Sequence, residues 1–200
     1  GAEGETVVAA EKIVIAAGTV PFVPPSFGYD GRSVVTSDEA LDLRVLPRKV
    51  VVVGGGAVGC EFASIYRAFG AEVAVVEMMP RLLPALDGEL GKALASSFRK
   101  RGIAVHTGRR VEALEKAGDA VMMRFESGEI LRAEMVLLAL GRKTAVEGLD
   151  LARAGLAVDP RGRIPVDRSL RTAVLHIYAV GDINDRPHDL AHAASSQGLA

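Results

Sequence analysis

Three glycines directly after a β-branched run form the pattern with the clearest chemical meaning in this sequence. In "VVVGGGAVGCE", Gly54, Gly56 and Gly59 have the GxGxxG spacing between a predicted strand and a predicted helix. Gly54 allows a tight turn, Gly56 leaves room for a pyrophosphate to approach the backbone, and Gly59 lets the helix pack closely on the strand. The free N–H groups and the positive end of that helix would face the phosphates of a dinucleotide.

An acidic residue after these glycines decides which dinucleotide the sequence predicts. Glu77 ends the next predicted strand, close to the spacing of about 20 residues that is typical of this acid. Its carboxylate can accept hydrogen bonds from both hydroxyls of an adenosine ribose and would repel a 2′-phosphate. This favours NAD over NADP. Arg81 is a candidate phosphate ligand that would favour NADP, although a surface arginine is more often solvated. The alternative for the motif is a connecting turn without a ligand, with Glu77 as an ordinary strand end.

Composition and charge argue against several classes of protein. The chain has 200 residues, 49% of them hydrophobic, which is ample for a buried core. Its 24 basic and 25 acidic residues nearly cancel and form no basic block, so nucleic acid is not an expected partner. The apolar runs are far shorter than the roughly 20 residues of a membrane-spanning helix. A single cysteine and the lack of a signal segment favour a reducing, cytoplasm-like compartment, and no metal site is predicted.

Short β-branched runs alternate with helical stretches, which predicts an α/β fold with a mainly parallel sheet. The most regular zone, from about residue 47 to 145, begins as a Rossmann-like βαβαβ unit. Alternating runs around Ser127 and Gly128 predict a β-hairpin or meander insertion, and "MVLLALG" predicts a buried strand that re-enters the sheet. The predicted strands of the first unit cover 49–53, 72–77 and 103–107, and its helices end at Gly70 and cover about 87–101.

Longer motifs around the glycine turn resemble a known family. The run "VVVGGGAVGCEFASIYRAFGAEVAVVEMMPRLLPALDGEL" follows "TSDEALDL" and precedes "RGIAVHTG". Near the two ends stand "IVIAAGT" and "IYAVGDI", which are similar to a strand and glycine turn and to a second flavin motif of that family. Over essentially its whole length the sequence resembles the pyridine nucleotide-disulfide oxidoreductases, and among them the dihydrolipoamide dehydrogenases.

The resemblance implies a domain organisation, because in this family the NAD-binding domain is inserted into the FAD-binding domain. We therefore expect a partial FAD-binding segment at 1–46, the NAD-binding domain at 47–145 and a returning FAD-binding segment at 146–200. The chain opens at Gly1 on strand-like sequence without a preamble, so we expect it to be an excised fragment.

Further NAD-binding residues follow from the resemblance. Glu61 matches a glutamate close to the nicotinamide that pairs with a lysine of the FAD-binding domain. Gly141 and Arg142 match a turn that lies against the cofactor, where the arginine could meet a phosphate; the alternative is an ordinary strand exit. The residues predicted to bind NAD are Gly54, Gly55, Gly56, Val58, Gly59, Glu61, Glu77, Gly141 and Arg142.

The resemblance also implies part of a flavin site, which would be complete only in a longer parent protein. Asp182 would hold a hydroxyl of the ribityl chain, Gly181 would allow close backbone approach, and a following helix would direct its first N–H groups at the flavin. The alternatives are a simple β-turn and a surface position for His192. The residues predicted to bind FAD are Gly18, Gly181, Asp182, Leu190, Ala191 and His192.

The sequence departs from the family pattern after its Gly-Arg pair, and it lacks several of the family's motifs. Lys143, Thr144 and Ala145 stand where the family usually has Pro-Asn and one further residue, which changes the expected path of that loop. The chain also lacks a Cys-x4-Cys redox pair, a first FAD glycine motif and a His-Glu acid-base pair, and its Cys60 is expected to be structural. We expect no catalytic residue within the chain and no activity from it alone.

The parent implied by the resemblance is a homodimeric enzyme that oxidises dihydrolipoamide through a disulfide and a flavin and reduces NAD. Its disulfide substrate would be a small molecule or a lipoyl domain. Two alternatives remain open at this point: an NADP-linked relative such as a glutathione or mercuric reductase, and a non-catalytic module that binds NAD on its own.

Overall fold

Strands and helices alternate along most of the chain in the computed structural model, which describes residues 6–186 and 189–200. The first five residues of the predicted segment 1–46 therefore lie outside the described residues. The strands are β1 Ile13–Ile15, β2 Thr19–Pro21, β3 Val34–Val35, β4 Lys49–Val53, β5 Glu72–Glu77, β6 Ile103–Thr107, β7 Val111–Ala117, β8 Ala120–Phe125, β9 Ile130–Ala133, β10 Met135–Leu138, β11 Arg142–Thr144 and β12 Ile177–Ala179. The α-helices are α1 Ser37–Ala40, α2 Ala57–Ala68, α3 Gly88–Lys100 and α4 Ala191–Leu199.

One of two compact units comprises residues 21–141 and is built on a five-stranded sheet. The strand order is β3–β10–β4–β5–β6, and all pairs of neighbouring strands are parallel. The three strands predicted at 49–53, 72–77 and 103–107 are confirmed with the same bounds. The sequence-based expectation of an α/β fold with a Rossmann-like parallel sheet is thus confirmed.

Both faces of this sheet are covered by other elements, which explains why the sequences of its strands are continuous apolar runs. Val50 and Val52 of β4 pack with α2 and α3 in one core cluster. Val51 and Val53 point the other way, into a second cluster with residues of the strands that follow β6. In both clusters the valines are nearly inaccessible to solvent.

The second face is covered by an antiparallel meander, β7–β8–β9, inserted between β6 and β10. Met123 and Phe125 of β8 and Leu114 of β7 are buried against the sheet. The turn at Ser127 and Gly128 joins β8 to β9, so the predicted hairpin is confirmed as part of a meander.

The other unit consists of the described residues up to Val20 and those from Arg142 onward. Its parallel pair β1–β12 places Ile13 opposite Ile177. A small cluster centred on the fully buried Ile164 and Ile183 forms its core. In the described part of the chain, no helix has the length and apolar character required to cross a bilayer.

The borders of the units differ from the predicted zone of 47–145, and strand pairing gives the reason. Val34 and Val35 form β3, which pairs with β10 at the edge of the large sheet. Residues 21–46 therefore belong with the large sheet, although their proline-rich sequence carries little periodicity. At the other border the chain passes into the second unit at Arg142, before the departures at Lys143 to Ala145.

A capping box at the start of α1 generates a prediction about acid stability. Glu39 Oε2 accepts hydrogen bonds from the N–H and the hydroxyl of Thr36, both at 2.8 Å, and Oε1 accepts one from the Tyr29 hydroxyl at 2.6 Å. Burial alone would raise the pKa of Glu39, but these hydrogen bonds outweigh it and lower the pKa from 4.5 to about 2.

Because the folded-state pKa is depressed, ionised Glu39 stabilises the fold above pH 4.5, and this stability is lost as the pH falls towards 2. We expect Glu39→Gln to be less stable than the wild type at neutral pH and the difference to shrink in acid. Tyr29→Phe, which removes one of the donors, should have a stability between those of the wild type and Glu39→Gln. Urea unfolding at a series of pH values measures this, and an unchanged gap between wild type and Glu39→Gln at all pH values would contradict it.

Candidate functional site

The glycine turn between β4 and α2 has the backbone geometry that the sequence predicts. Gly54 has a φ of +112°, and a Cβ there would overlap the carbonyl oxygen of Ala139 on the neighbouring chain segment. A Cβ on Gly59 would overlap the carbonyl oxygen of Gly54. Both glycines are therefore required by close packing of turn, helix and sheet, whatever binds there.

The open side of the turn carries a set of free donors. A Cβ on Gly56 would meet no atom within 4 Å, so this side of the backbone is open. Gly56 caps α2, and within residues 6–186 and 189–200 none of the N–H groups from Gly56 to Gly59 donates a hydrogen bond to the protein. Such a row of N–H groups at the start of a 12-residue helix is suited to an anion such as a pyrophosphate.

Gly55, in contrast, is enclosed by the protein. Its N–H donates to Glu77 Oε2 at 2.7 Å, and its carbonyl accepts from the Leu83 N–H at 2.8 Å and from the Cys60 thiol at 3.4 Å. A Cβ at this position would lie 2.7 Å from Leu82 Cδ2. Gly55 belongs to the predicted site, but its own N–H is committed to the protein and is not among the free donors.

Glu77 lies beside the glycine turn, as its spacing predicts. Its side chain is buried at the end of β5, with 7% of the residue exposed. One carboxylate oxygen accepts a hydrogen bond from the Gly55 N–H, and the other accepts one from the Met79 N–H, both at 2.7 Å. Each carboxylate oxygen can accept a further hydrogen bond. The structure therefore brings the acid and the free N–H row together in one unit.

Three other residues singled out from the sequence lie on α2 and on the loop after β5. Val58 and Glu61 are exposed on the first turns of α2. Arg81 donates from Nη2 to the carbonyl oxygens of Pro84 at 3.1 Å and Leu86 at 3.4 Å. Arg81 thus supports its own loop, as expected for an arginine without a phosphate ligand.

Gly141 and Arg142 belong to different units. Gly141 has a φ of +105° and its carbonyl accepts from the Phe22 N–H at 2.9 Å. Arg142 donates from Nε to the Thr19 hydroxyl and from Nη2 to the Thr19 carbonyl, both at 2.7 Å. The side chain predicted as a phosphate ligand is therefore engaged by Thr19 in this structure.

The predicted flavin residues lie together in the second unit. Asp182 Oδ2 accepts from the Thr19 hydroxyl at 3.3 Å, which links Asp182 to Arg142 through that hydroxyl. Gly181 has a φ of +75° and Gly18 a φ of +64°, backbone conformations that favour glycine. Thr19 is not among the residues predicted from the sequence, because a threonine after a glycine turn carries no signal of its own.

Two amide side chains, the buried Asn184 and the half-buried Gln197, fix the Gly-Asp turn to α4. The Gln197 side-chain oxygen accepts from the Gly181 N–H at 2.7 Å and from Asn184 Nδ2 at 2.8 Å. Asn184 is fully buried and also donates to the Ala179 carbonyl at 3.0 Å. Sequence reasoning missed both amides, since nothing in their spacing indicates that they meet.

The start of α4 is exposed and has no side-chain cap. Leu190 is the cap residue, and Leu190, Ala191 and His192 are all exposed. In the described part of the chain, no three His, Cys, Asp or Glu side chains come together in a way that could hold a metal ion.

Comparison with known proteins identifies relatives along nearly the whole chain. Residues 2–198 match the family model described as pyridine nucleotide-disulphide oxidoreductase. Dihydrolipoyl dehydrogenase of Chlamydia muridarum is 36% identical over 200 residues, which cover 98% of this chain and 43% of the relative. Soluble pyridine nucleotide transhydrogenase of Vibrio vulnificus is 37% identical over 194 residues, which cover 97% of this chain and 41% of the relative. The chain thus spans about two fifths of these relatives.

Solved structures show the same fold. LpdA from Mycobacterium tuberculosis superimposes with a TM-score of 0.86 at 32% identity over 94% of this chain and 41% of that one. The HOCl-induced flavoprotein disulfide reductase RclA from Escherichia coli gives a TM-score of 0.88 at 30% identity over 95% of this chain and 43% of that one.

The environment of Cys60 predicts an unreactive thiol. Burial, followed by the charges of Glu77 and Glu61, raises its pKa from 9.0 to about 11. At pH 8 only about one thiol in a thousand is then ionised, and the thiolate is the reactive form. We expect iodoacetamide to leave the folded chain unlabelled under conditions that fully label it in urea. Mass spectrometry gives the result directly because Cys60 is the single cysteine, and rapid labelling of the folded chain would contradict the prediction.

Proposed function

The chain belongs to the pyridine nucleotide-disulphide oxidoreductase family, and on that premise we propose that it is the NAD-binding part of an FAD-dependent dihydrolipoamide dehydrogenase. Enzymes of this family are oxidoreductases that use FAD and a pyridine nucleotide. In this proposal the unit of residues 21–141 binds NAD, and the other unit is a portion of the FAD-binding domain.

One observation carries the proposal: the open row of N–H groups from Gly56 to Gly59 lies in the same unit as the buried carboxylate of Glu77. The N–H row fits the negative charge of a pyrophosphate, which the helix dipole further stabilises. The carboxylate fits the two hydroxyls of an adenosine ribose. Both halves of a dinucleotide site are therefore present in residues that fold as one unit.

The charge of Glu77 favours NAD over NADP. A 2′-phosphate at the ribose would place a second anion beside a carboxylate that is buried and held on both oxygens by backbone N–H groups. Like charges at close range repel strongly where water is excluded. Met78, which follows Glu77, is apolar and offers no compensating cation.

The flavin contacts proposed for the second unit rest on Asp182. Its carboxylate is held by Thr19, and Gly181 and Gly18 have the positive φ angles that permit close backbone approach. Asp182 would accept a hydrogen bond from a hydroxyl of the ribityl chain. When bound in the parent, FAD would pass electrons between a redox disulfide and NAD.

The full reaction and its partners belong to the proposed parent. We propose that it oxidises a dihydrolipoyl substrate, either a small molecule or a lipoyl domain, as a homodimer in the cytoplasm. The redox cysteines would come from sequence outside these 200 residues. Relatives named soluble pyridine nucleotide transhydrogenase support a soluble parent.

A second candidate reaction is hydride exchange between two nicotinamide cofactors. The transhydrogenase of Vibrio vulnificus is as similar to this chain as the dihydrolipoyl dehydrogenase of Chlamydia muridarum, at 37% and 36% identity. The parent protein distinguishes the two. Turnover of dihydrolipoamide with NAD supports the dehydrogenase, whereas reduction of thio-NAD by NADPH without a dithiol supports the transhydrogenase.

We expect the chain to bind NADH more tightly than NADPH, and Glu77→Ala to weaken NADH binding. The loss should be on the order of 1.5 to 3 kcal/mol, the range for hydrogen bonds to a charged group. Part of it comes from the ribose and part from the turn, because Glu77 also holds Gly55. NADH and NADPH differ only at the adenosine ribose, so loss of the turn contact weakens both equally. Loss of the ribose contact should also reduce the preference for NADH over NADPH.

Isothermal titration of both nucleotides measures these effects. Glu72→Ala is the matched control, since Glu72 lies at the start of the same strand and pairs with Lys49 at 2.7 Å. It should leave both affinities unchanged. Equal or tighter binding of NADPH by the wild type would overturn the assignment of Glu77.

We also expect the chain to purify without stoichiometric FAD. The adenine and pyrophosphate of FAD need a glycine turn and helix of their own, which in this family precede the segment around Gly18. Contacts from Asp182 and the start of α4 alone must offset the entropy of immobilising the whole cofactor. The absorbance ratio at flavin and protein wavelengths measures this, and a ratio near one flavin per chain would show that the partial site suffices.

A further inference from the structure

The loop between β5 and α3, residues 78–87, lies directly behind the glycine turn. Leu82 of this loop is fully buried, and its Cδ2 lies 2.7 Å from the position that a Cβ on Gly55 would occupy. The next residue, Leu83, donates its N–H to the Gly55 carbonyl at 2.8 Å. Two consecutive residues of this loop thus contact Gly55, the residue directly before the open N–H row.

The loop is itself fixed by α3. Gly91 lies where any side chain would overlap the carbonyl oxygen of Leu82, so the helix approaches the loop backbone directly. Asp87 caps the helix by accepting from the Glu89 N–H at 2.8 Å. Leu83 has a φ of +49°, a conformation that a leucine adopts only where its surroundings impose it. In this conformation the Leu83 N–H donates to the Gly55 carbonyl.

We propose that Leu82 and Leu83 are positioning residues for the dinucleotide site. They hold the Gly55 peptide in one orientation, so that the N–H groups of Gly56 and its successors stay directed at the ligand before it arrives. Three adjacent glycines would otherwise have many backbone conformations, and ordering them would weaken binding. This inference rests on the proposed binding of NAD by the same turn.

The test compares two leucine-to-alanine variants of one core. Leu82→Ala removes the side chain behind Gly55, and Leu94→Ala removes a leucine that packs on the same core cluster from α3. Both variants should lose thermal stability. Only Leu82→Ala should weaken NADH binding, by about tenfold, because only it loosens the turn. Leu82→Met keeps the volume and should restore the affinity to within about twofold.

Hydrogen exchange gives a second measurement that does not depend on the ligand. In Leu82→Ala the Gly55 amide should exchange faster than in the wild type while amides of β4 keep their protection. If Leu82→Ala does not fold, Leu82→Val takes its place, with the same direction of change in both measurements.

The outcomes separate the two proposals. Wild type that does not bind NADH overturns the proposed function and this inference with it. Wild type that binds NADH, together with equal affinities for folded Leu82→Ala and Leu94→Ala, overturns only the positioning role. Loss of affinity in Leu82→Ala alone, with faster Gly55 exchange and recovery in Leu82→Met, supports it.

Discussion

The hydrogen bond between the Gly55 N–H and the Glu77 carboxylate, at 2.7 Å, is the interaction on which the candidate site depends. It joins the turn after β4 to the end of β5, so the row of free donors and the acid keep a fixed relation. A buried carboxylate that accepts hydrogen bonds from backbone N–H groups of two segments makes strong, charge-assisted interactions. The same carboxylate would select the nucleotide, which makes one side chain responsible for both the shape and the charge of the site.

Much of this arrangement could be predicted from the sequence because it follows from local rules. The strand of β4, the glycines and the helix α2 are adjacent in the chain, and their periodicity and spacing fix their order. Glu77 required only the further knowledge that neighbouring parallel strands end at the same edge of a sheet. The fold class and the three βαβαβ strands were predicted correctly for these reasons.

Other parts could not be predicted, because they depend on contacts between distant segments. The short strand at Val34 and Val35 is recognisable only from its pairing with β10, about 100 residues later in the chain. The hydrogen bonds of Arg142 to Thr19 join residues 123 positions apart. The contact of Leu82 with Gly55 also cannot be predicted from the sequence, in which Leu82 is one apolar residue of a loop.

The position of β10 has a consequence for how the chain folds. This strand lies between β3 and β4, yet it follows the meander in sequence. During synthesis β4, β5 and β6 can associate through local crossovers, whereas the place beside β4 stays empty until Met135 to Leu138 have been made. Pairing over so long a separation closes large loops and is intrinsically slow. Until then the apolar edge of β4 is open to other chains, so this unit is most prone to aggregation just before β10 is inserted.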